Sequence, residues 1–216
     1  MIQITKVIED AKQELNDKKQ GIQKRRFVAN LNPEQFKDLF VIIATGIIAD
    51  RGIDKEFVIN SQNHEILKQL YLYLTCNTNF QGELGKGILL AGKNGVGKTV
   101  IMLTFIEIVK KLCRISIRHY HAKEISPIVA KDGYGDLIQR PLFIDDIGKE
   151  QREIMIYGTR LQPIADLIAM RYDKGSITYA TSNYNHDTLQ EFYGITTTER
   201  FKEMFNIFVV EGESYR

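Results

Sequence analysis

The stretch Gly92-Lys93-Asn94-Gly95-Val96-Gly97-Lys98-Thr99 constrains this chain more than any other. It reads G-x-x-x-x-G-K-S/T, follows the apolar run Ile88-Leu89-Leu90-Ala91, and precedes the amphipathic stretch Val100–Leu112. Strand, glycine-rich loop and helix in that order form the setting in which this spacing binds phosphate. Glycines let successive backbone N–H groups curl around an anion. A helix starting near Lys98 points its positive end at the same place. Lys98 is then expected to reach the β- and γ-phosphates as a point charge, and the Thr99 hydroxyl to ligate Mg²⁺. The expected nucleotide-binding set is Gly92, Asn94, Gly95, Val96, Gly97, Lys98 and Thr99, with ATP and Mg²⁺ as cofactors.

Two further elements belong to the same chemistry. Leu142-Phe143-Ile144-Asp145-Asp146 is an apolar strand that ends in two carboxylates. Ligands of open α/β sheets bind at that end of the strands. Neighbouring strand residues point to opposite sides, so the two acids are expected to do different work. Asp145 is expected on the Mg²⁺ side, acting through coordinated water. Asp146 is expected to orient or deprotonate an attacking water. Ile177-Thr178-Tyr179-Ala180-Thr181-Ser182-Asn183 is another buried-looking strand with a polar end. Asn183 or Thr181 could reach the γ-phosphate or the water from there, and an amide both donates and accepts.

The remaining pattern gives the architecture. Short runs rich in Ile, Leu and Val lie at 87–91, 115–120, 141–145, 177–181 and 206–210, with helical stretches between them at 99–112 and 163–172. Strands alternating with helices predict an α/β fold, a parallel sheet covered on both faces. The N-terminal part reads differently. Residues 1–26 form a polar helical arm with one weak apolar stripe and a basic end carrying Lys18, Lys19, Lys24, Arg25 and Arg26. Asn32, Pro33 and Gln35 predict a capped helix start. Phe36, Leu39, Phe40, Ile43 and Ile47 follow at helical spacing, with Gly52 as the stop. Val41, Ile42 and Ile48 spread its apolar surface, so burial on most sides is expected, in a core or against a partner. Another helix is expected at 61–75. These signals divide the chain into a helical region, 1–55, and an α/β body, 56–216.

Charge sets limits on function. The 216 residues carry 29 Lys+Arg against 27 Asp+Glu, a formal net charge of +2. Bulk charge therefore gives no argument for nucleic acid, and local basic groups must carry any such reading. The candidates are the basic arm and the Arg114, Arg118, His119, His121 group around one strand. Cys76 and Cys113 are too few and too isolated for a disulfide framework, and both are expected to be buried thiols. The two histidines alternate onto one face, but without nearby acidic or Cys ligands the structural reading is preferred to a metal site. The N-terminus lacks the apolar run of a signal peptide and no stretch approaches a membrane span. A cytoplasmic protein is expected.

GILLAGKNGVGKT, PLFIDDIGKE, RYDKGSITYATSN and TTERFKEMFNIFVVEGESYR, in that order, resemble the DnaC/IstB-type ATPases of the AAA+ class, over about residues 60–216. These are replicative helicase loaders and transposition accessory ATPases. The resemblance implies a P-loop NTPase fold of AAA+ type and ATP hydrolysis. It implies Lys98 and Thr99 as Walker A residues, Asp145 and Asp146 as Walker B, and Asn183 as sensor 1. Arg200 falls where the family has its arginine finger, although Glu199 and Phe201 flank it here in place of the usual Ser and Leu. Arg216 matches the terminal Arg assigned as sensor 2 in some members. Thr196 and Glu199 have capping-box spacing, so a short helix to about Phe205 is expected, with Phe201 and Phe205 facing the core. The stretch after Asn183 is too short for a full C-terminal lid domain. A neighbouring subunit is therefore expected to complete the site, in a nucleotide-dependent homo-oligomer.

The implied function is loading of a replicative helicase onto single-stranded DNA, with residues 1–55 as a partner-binding region and no membrane role. A transposition ATPase that binds duplex DNA and recruits a transposase fits the same core motifs. Two other classes stay open: an ATP-regulated DNA clamp with little hydrolysis, and a small-molecule P-loop kinase.

Overall fold

The structure is a computed structural model that describes residues 4–24 and 28–215. Arg25, Arg26 and Arg216, and the side chains of Lys18, Lys19 and Lys24, lie outside the described residues. Five strands form one parallel sheet. In chain order they are β1 (Gly87–Ala91), β2 (Arg118–His121), β3 (Leu142–Ile147), β6 (Thr178–Ser182) and β7 (Phe205–Val209). Their spatial order is β2-β3-β6-β1-β7. β6 therefore lies between the strand that feeds the glycine loop and the strand that delivers the two aspartates. Leu89 pairs with Ala180 and Phe143 with Tyr179 across these joins.

Every residue of β1 and β6 is buried, as a parallel sheet covered on both faces requires. Alternate residues feed two cores. Ile88, Leu90, Phe143 and Tyr179 join the first. Leu89, Leu142, Ile144 and Ala180 join the second. Helices α2 (Pro33–Ala49), α3 (His64–Leu74) and α4 (Lys98–Cys113) pack on the first face. Helices α5 (Ala122–Asp132), α6 (Gly135–Ile138), α7 (Pro163–Lys174), α8 (His186–Tyr193) and α9 (Ile195–Met204) pack on the second. α1 (Ile4–Lys24) carries Ile4, Ile8 and Leu15 exposed. Among the described residues no helix is long and apolar enough to cross a membrane.

The start of α2 forms as its sequence dictates. Asn32 Oδ1 accepts from the Gln35 N–H, and Gln35 Oε1 accepts from the Asn32 N–H, both at 2.9 Å. Burial is narrower than the apolar composition suggests. Phe36, Phe40 and Ala44 are enclosed, whereas Ile42 is 69% exposed. The enclosed stripe packs with Ile101, Met102 and Phe105 of α4 in one continuous core. The boundary expected near residue 55 thus runs between elements that share a core.

Several expectations shift in detail. Pairing of β2 starts at Arg118, not Ile115, because Arg114 ends α4 in a left-handed conformation at φ 57°. Ile115 packs on the core from a loop. α9 begins at Ile195 with Gly194 as its cap and no side-chain capping bond. Glu199 pairs instead with Lys202 at 2.7 Å, so the expected Thr196–Glu199 box does not form. Phe201 and Phe205 do meet, with ring centroids 5.8 Å apart, although Phe205 already belongs to β7. Cys76 and Cys113 are half-buried rather than buried. A β-hairpin absent from the sequence reading, β4 (Ile154–Ile156) with β5 (Thr159–Leu161), follows β3. Its tip, Tyr157-Gly158, has both residues at positive φ, 47° and 82°.

Arg171 is fully buried and, among the described residues, has no carboxylate partner. Its guanidinium donates to the carbonyls of Leu137, Ile138, Arg140 and Ile177 and to Thr178 Oγ1. Burial lowers its pKa to about 10, so it stays charged at neutral pH.

Candidate nucleotide site

The glycine loop leaves β1 at Gly92 and enters α4 at Lys98. Gly97 is the N-cap of α4 and holds φ 88°, a left-handed conformation that costs glycine nothing. At Gly92 a Cβ would collide with the carbonyl of Val210, so the close approach of the loop to the chain after β7 requires glycine. This turn places the first turn of α4, Lys98 to Ile101, along the cavity beside it.

Lys98 is only 5% exposed. Its ammonium donates to Gly92 O at 2.8 Å, Lys93 O at 2.7 Å and Asn183 Oδ1 at 2.8 Å. Thr99 Oγ1 donates to Asp145 Oδ1 at 2.8 Å. Thr181 Oγ1 donates to the same oxygen at 2.5 Å and accepts from the Asp146 N–H at 2.8 Å. Asn183 Nδ2 donates to Asp146 Oδ1. The three sequence elements thus form one hydrogen-bonded constellation, with β6 as its middle.

The two aspartates do not face opposite sides as strand alternation predicts. Asp146 has φ 66°, and the β3–β6 register shifts between Ile144 and Ile147. This irregularity turns Asp146 back toward the side that Asp145 serves. Asp145 is buried against Thr99 and Thr181, while Asp146 opens onto the cavity. Left-handed backbone at a non-glycine residue concentrates at functional sites. Thr181, one of two candidates for reaching a phosphate or water, is engaged in fixing the acid pair. Asn183, the other, links Lys98 to Asp146.

The turn after β3 is fixed from beneath. Gly148 N–H donates to Glu150 Oε2 at 2.8 Å and to the Tyr193 hydroxyl at 2.9 Å, and Tyr193 donates to Glu150 Oε1. Glu150 is 5% exposed, and burial pushes its carboxyl pKa up. Between these anchors Lys149 reaches out. Its ammonium lies 3.0 Å from Asn94 Oδ1 and 2.9 Å from Asp146 Oδ2.

A cavity of about 390 Å³ opens over the loop. One wall is Asn94–Ile101 with Asp146, Lys149 and Asn183. The other is Ile48, Arg51, Ile53, Phe57 and Val58, closed by Tyr215. The Phe57 N–H donates to Thr45 Oγ1 of α2 at 3.0 Å, and buried Asn63 holds Val58 O at 2.9 Å. Tyr215 N–H donates to Gly95 O at 3.0 Å, and its hydroxyl meets Asn60. Sequence reasoning missed this apolar wall. Phosphates against the loop and a planar base between Tyr215 and this mixed wall, which also holds Lys55 and Glu56, fit this shape. Thr99 Oγ1 and Asp145, two oxygen ligands in contact, fit Mg²⁺.

Sequence reasoning also missed His121 in this role. Its Nδ1 accepts from the Lys123 N–H at 3.2 Å and caps α5, while Nε2 lies 3.8 Å from Asp146 Oδ2. His119 stacks on Phe143 with ring centroids 4.7 Å apart. No metal-binding group of His, Cys, Asp and Glu occurs among the described residues. Arg200 is not brought to this cavity. It lies on α9 with its guanidinium 5.8 Å from the centre of the Tyr172 ring. Arg216, assigned to the nucleotide from resemblance, lies outside the described residues.

A parallel sheet with helices on both faces, a strand–loop–helix turn and an acid pair across an intervening strand give the chain the fold of AAA+ P-loop NTPase domains. Among solved structures, the chain is similar in fold to the DnaC helicase loader, at 21% identity and a TM-score of 0.58, covering 73% of this chain and 95% of that one. It is similar to a protein of Streptococcus pyogenes serotype M3 assigned as a primosome component, at 19% identity and 0.57, covering 90% and 97%. It also matches the replication initiator DnaA bound to AMPPCP and single-stranded DNA, at 15% identity and 0.53, covering 73% and 49%. No family model and no curated protein sequence matches the chain.

Proposed function

We propose that this protein is an AAA+ ATPase of DNA replication that loads a replicative helicase onto single-stranded DNA. The observation that carries the ATPase reading is the Lys98–Asn183–Asp146 chain lining the cavity, beside the Thr99–Asp145 pair. ATP binds with its phosphates on the loop, and Thr99 and Asp145 would hold Mg²⁺, which would supply positive charge against them. Asp146 orients the attacking water, and Asn183 keeps that carboxylate and Lys98 in register. Arg200 does not line its own cavity and serves the site of a neighbouring copy, which makes activity depend on assembly. The region before residue 55 binds the helicase through α1 and the open side of α2, while Ile48, Arg51 and Ile53 complete the base pocket. Similarity in fold to a helicase loader and to an initiator bound to single-stranded DNA supports the replication role.

Steady-state ATP hydrolysis with no DNA, single-stranded DNA and duplex DNA tests the reading, together with capture of a hexameric helicase on an Asp146→Asn bait. Stimulation by single strands and a trapped helicase are expected. Capture of a transposase with duplex stimulation would move the protein to transposition, and absence of turnover in every condition would remove the ATPase reading.

A further inference from the structure

Lys149 lies at the cavity with no role in the hydrolysis described for Asp146, Asn183 and Lys98. Its ammonium spans the gap between the phosphate loop, at Asn94 Oδ1, and the acid strand, at Asp146 Oδ2, with contacts of 3.0 and 2.9 Å. It lines the same cavity as Lys98. Its backbone sits between two anchored neighbours, Gly148 and Glu150, so its root position is set by the buried Tyr193–Glu150 pair. A Cβ at Gly148, which holds φ 95°, would collide with the Tyr184 ring, so the turn has little freedom. Resting on the reading of this cavity as a nucleoside triphosphate site, we propose that Lys149 is a second phosphate-binding cation, which contacts the terminal phosphate and makes the site distinguish ATP from ADP.

Lys98 is enclosed and bound to two loop carbonyls and Asn183. It approaches phosphate from the loop side. A terminal phosphate within reach of a water held by Asp146 must lie between the loop and that carboxylate. This is the gap that Lys149 bridges. Two aspartates at that end of the strand repel a phosphate, and a cation beside Asp146 relieves the repulsion. The side chain of Lys149 is 29% exposed and pairs with Asn94 and Asp146 at the gap, so a small rotation transfers a proton donor from Asn94 to a phosphate oxygen. A diphosphate ends short of that position and gains nothing from it.

The test is equilibrium binding of ADP and of the β,γ-methylene analogue of ATP, with Mg²⁺ present, to wild type, Lys149→Met and Lys149→Arg. Loss of a charge-assisted bond to phosphate predicts that Lys149→Met lowers affinity for the analogue about tenfold or more while ADP affinity is unchanged. Unchanged ADP binding also reports that the variant is folded. Lys149→Arg keeps the discrimination. Equal losses for both nucleotides, or no loss for the analogue, would overturn the proposal. The same pair of ligands on Asp146→Asn and Asp146→Asn/Lys149→Met separates direct contact from an effect relayed through Asp146. The analogue-specific loss persists in that background if Lys149 touches phosphate, and its disappearance overturns the contact. Wild-type protein that binds neither nucleotide fails at the earlier step, the reading of the cavity.

Discussion

The Thr99 hydroxyl donates to Asp145 Oδ1 across 2.8 Å, joining the first turn of α4 to the acid strand although β6 separates β1 from β3. A divalent cation held at Asp145 must share this hydroxyl. Thr99→Val keeps the shape and removes the ligand. Nucleotide binding without Mg²⁺ is expected to stay near wild type, while Mg²⁺ no longer tightens it and hydrolysis falls by about a hundredfold. Calorimetric titration with and without EDTA checks the binding arm.

Asp146→Asn keeps the bulk beside Asn183 but removes the carboxylate proposed to orient the water. ATP binding is expected to survive and turnover to drop by about 10²–10⁴. Phosphate release in single-turnover conditions reads this directly. An unchanged rate would move the water-orienting role to another residue.

Arg200 predicts a dependence on concentration. Arg200→Ala is expected to bind nucleotide as wild type does but hydrolyse it about 10³–10⁵ more slowly. The wild-type rate per subunit should fall on dilution. Mixing Arg200→Ala with Lys98→Ala copies should restore activity, since each supplies what the other lacks. A rate per subunit that stays high on dilution would place the catalytic cation in the same chain.

Glu150 sets a pH dependence of stability. Burial raises its pKa in the folded state. The sign follows from linkage: stability from the neutral acid is fully present below the unfolded value and is lost as pH rises through the folded value. Glu150→Gln removes this decline. The stability difference between variant and wild type is expected to move in favour of the variant from pH 5 to pH 8, read by urea unfolding at fixed ionic strength.

Arg171 predicts a large stability effect remote from the cavity. Replacing it by Met removes the guanidinium donor from the carbonyls of Leu137, Ile138 and Arg140, while Ile177 O keeps the Leu142 N–H. Each orphaned group costs about 1–3 kcal/mol, so a loss of roughly 3 kcal/mol or more is expected. Chemical denaturation measures it.

Much of this arrangement was legible before the structure. The loop Gly92–Thr99, the strand with Asp145 and Asp146, and the polar end of β6 each carry a local pattern whose physics does not depend on the rest of the chain. The order of the strands was not legible, because which strands neighbour each other is a matter of non-local pairing. The turn of Asp146 out of alternation was hidden for the same reason, since its left-handed backbone answers to Thr181 on another strand. The Tyr157-Gly158 hairpin carries its signal in one dipeptide and two short alternating runs, too little to separate from a loop. The apolar wall at Ile48–Val58 was read as the edge of a separate region. Its residues show no motif, and only the packing of α2 on α4 brings them to the phosphate loop.

The segment after β7 is tied to the phosphate loop through the Tyr215 N–H and Gly95 O. It gives the protein a built-in place for a fluorophore. The chain has no tryptophan. Tyr215→Trp would supply one indole, set against the loop and the base wall, with no background signal to subtract. Emission from that single position would follow nucleotide arrival and departure in real time, without a labelled ligand.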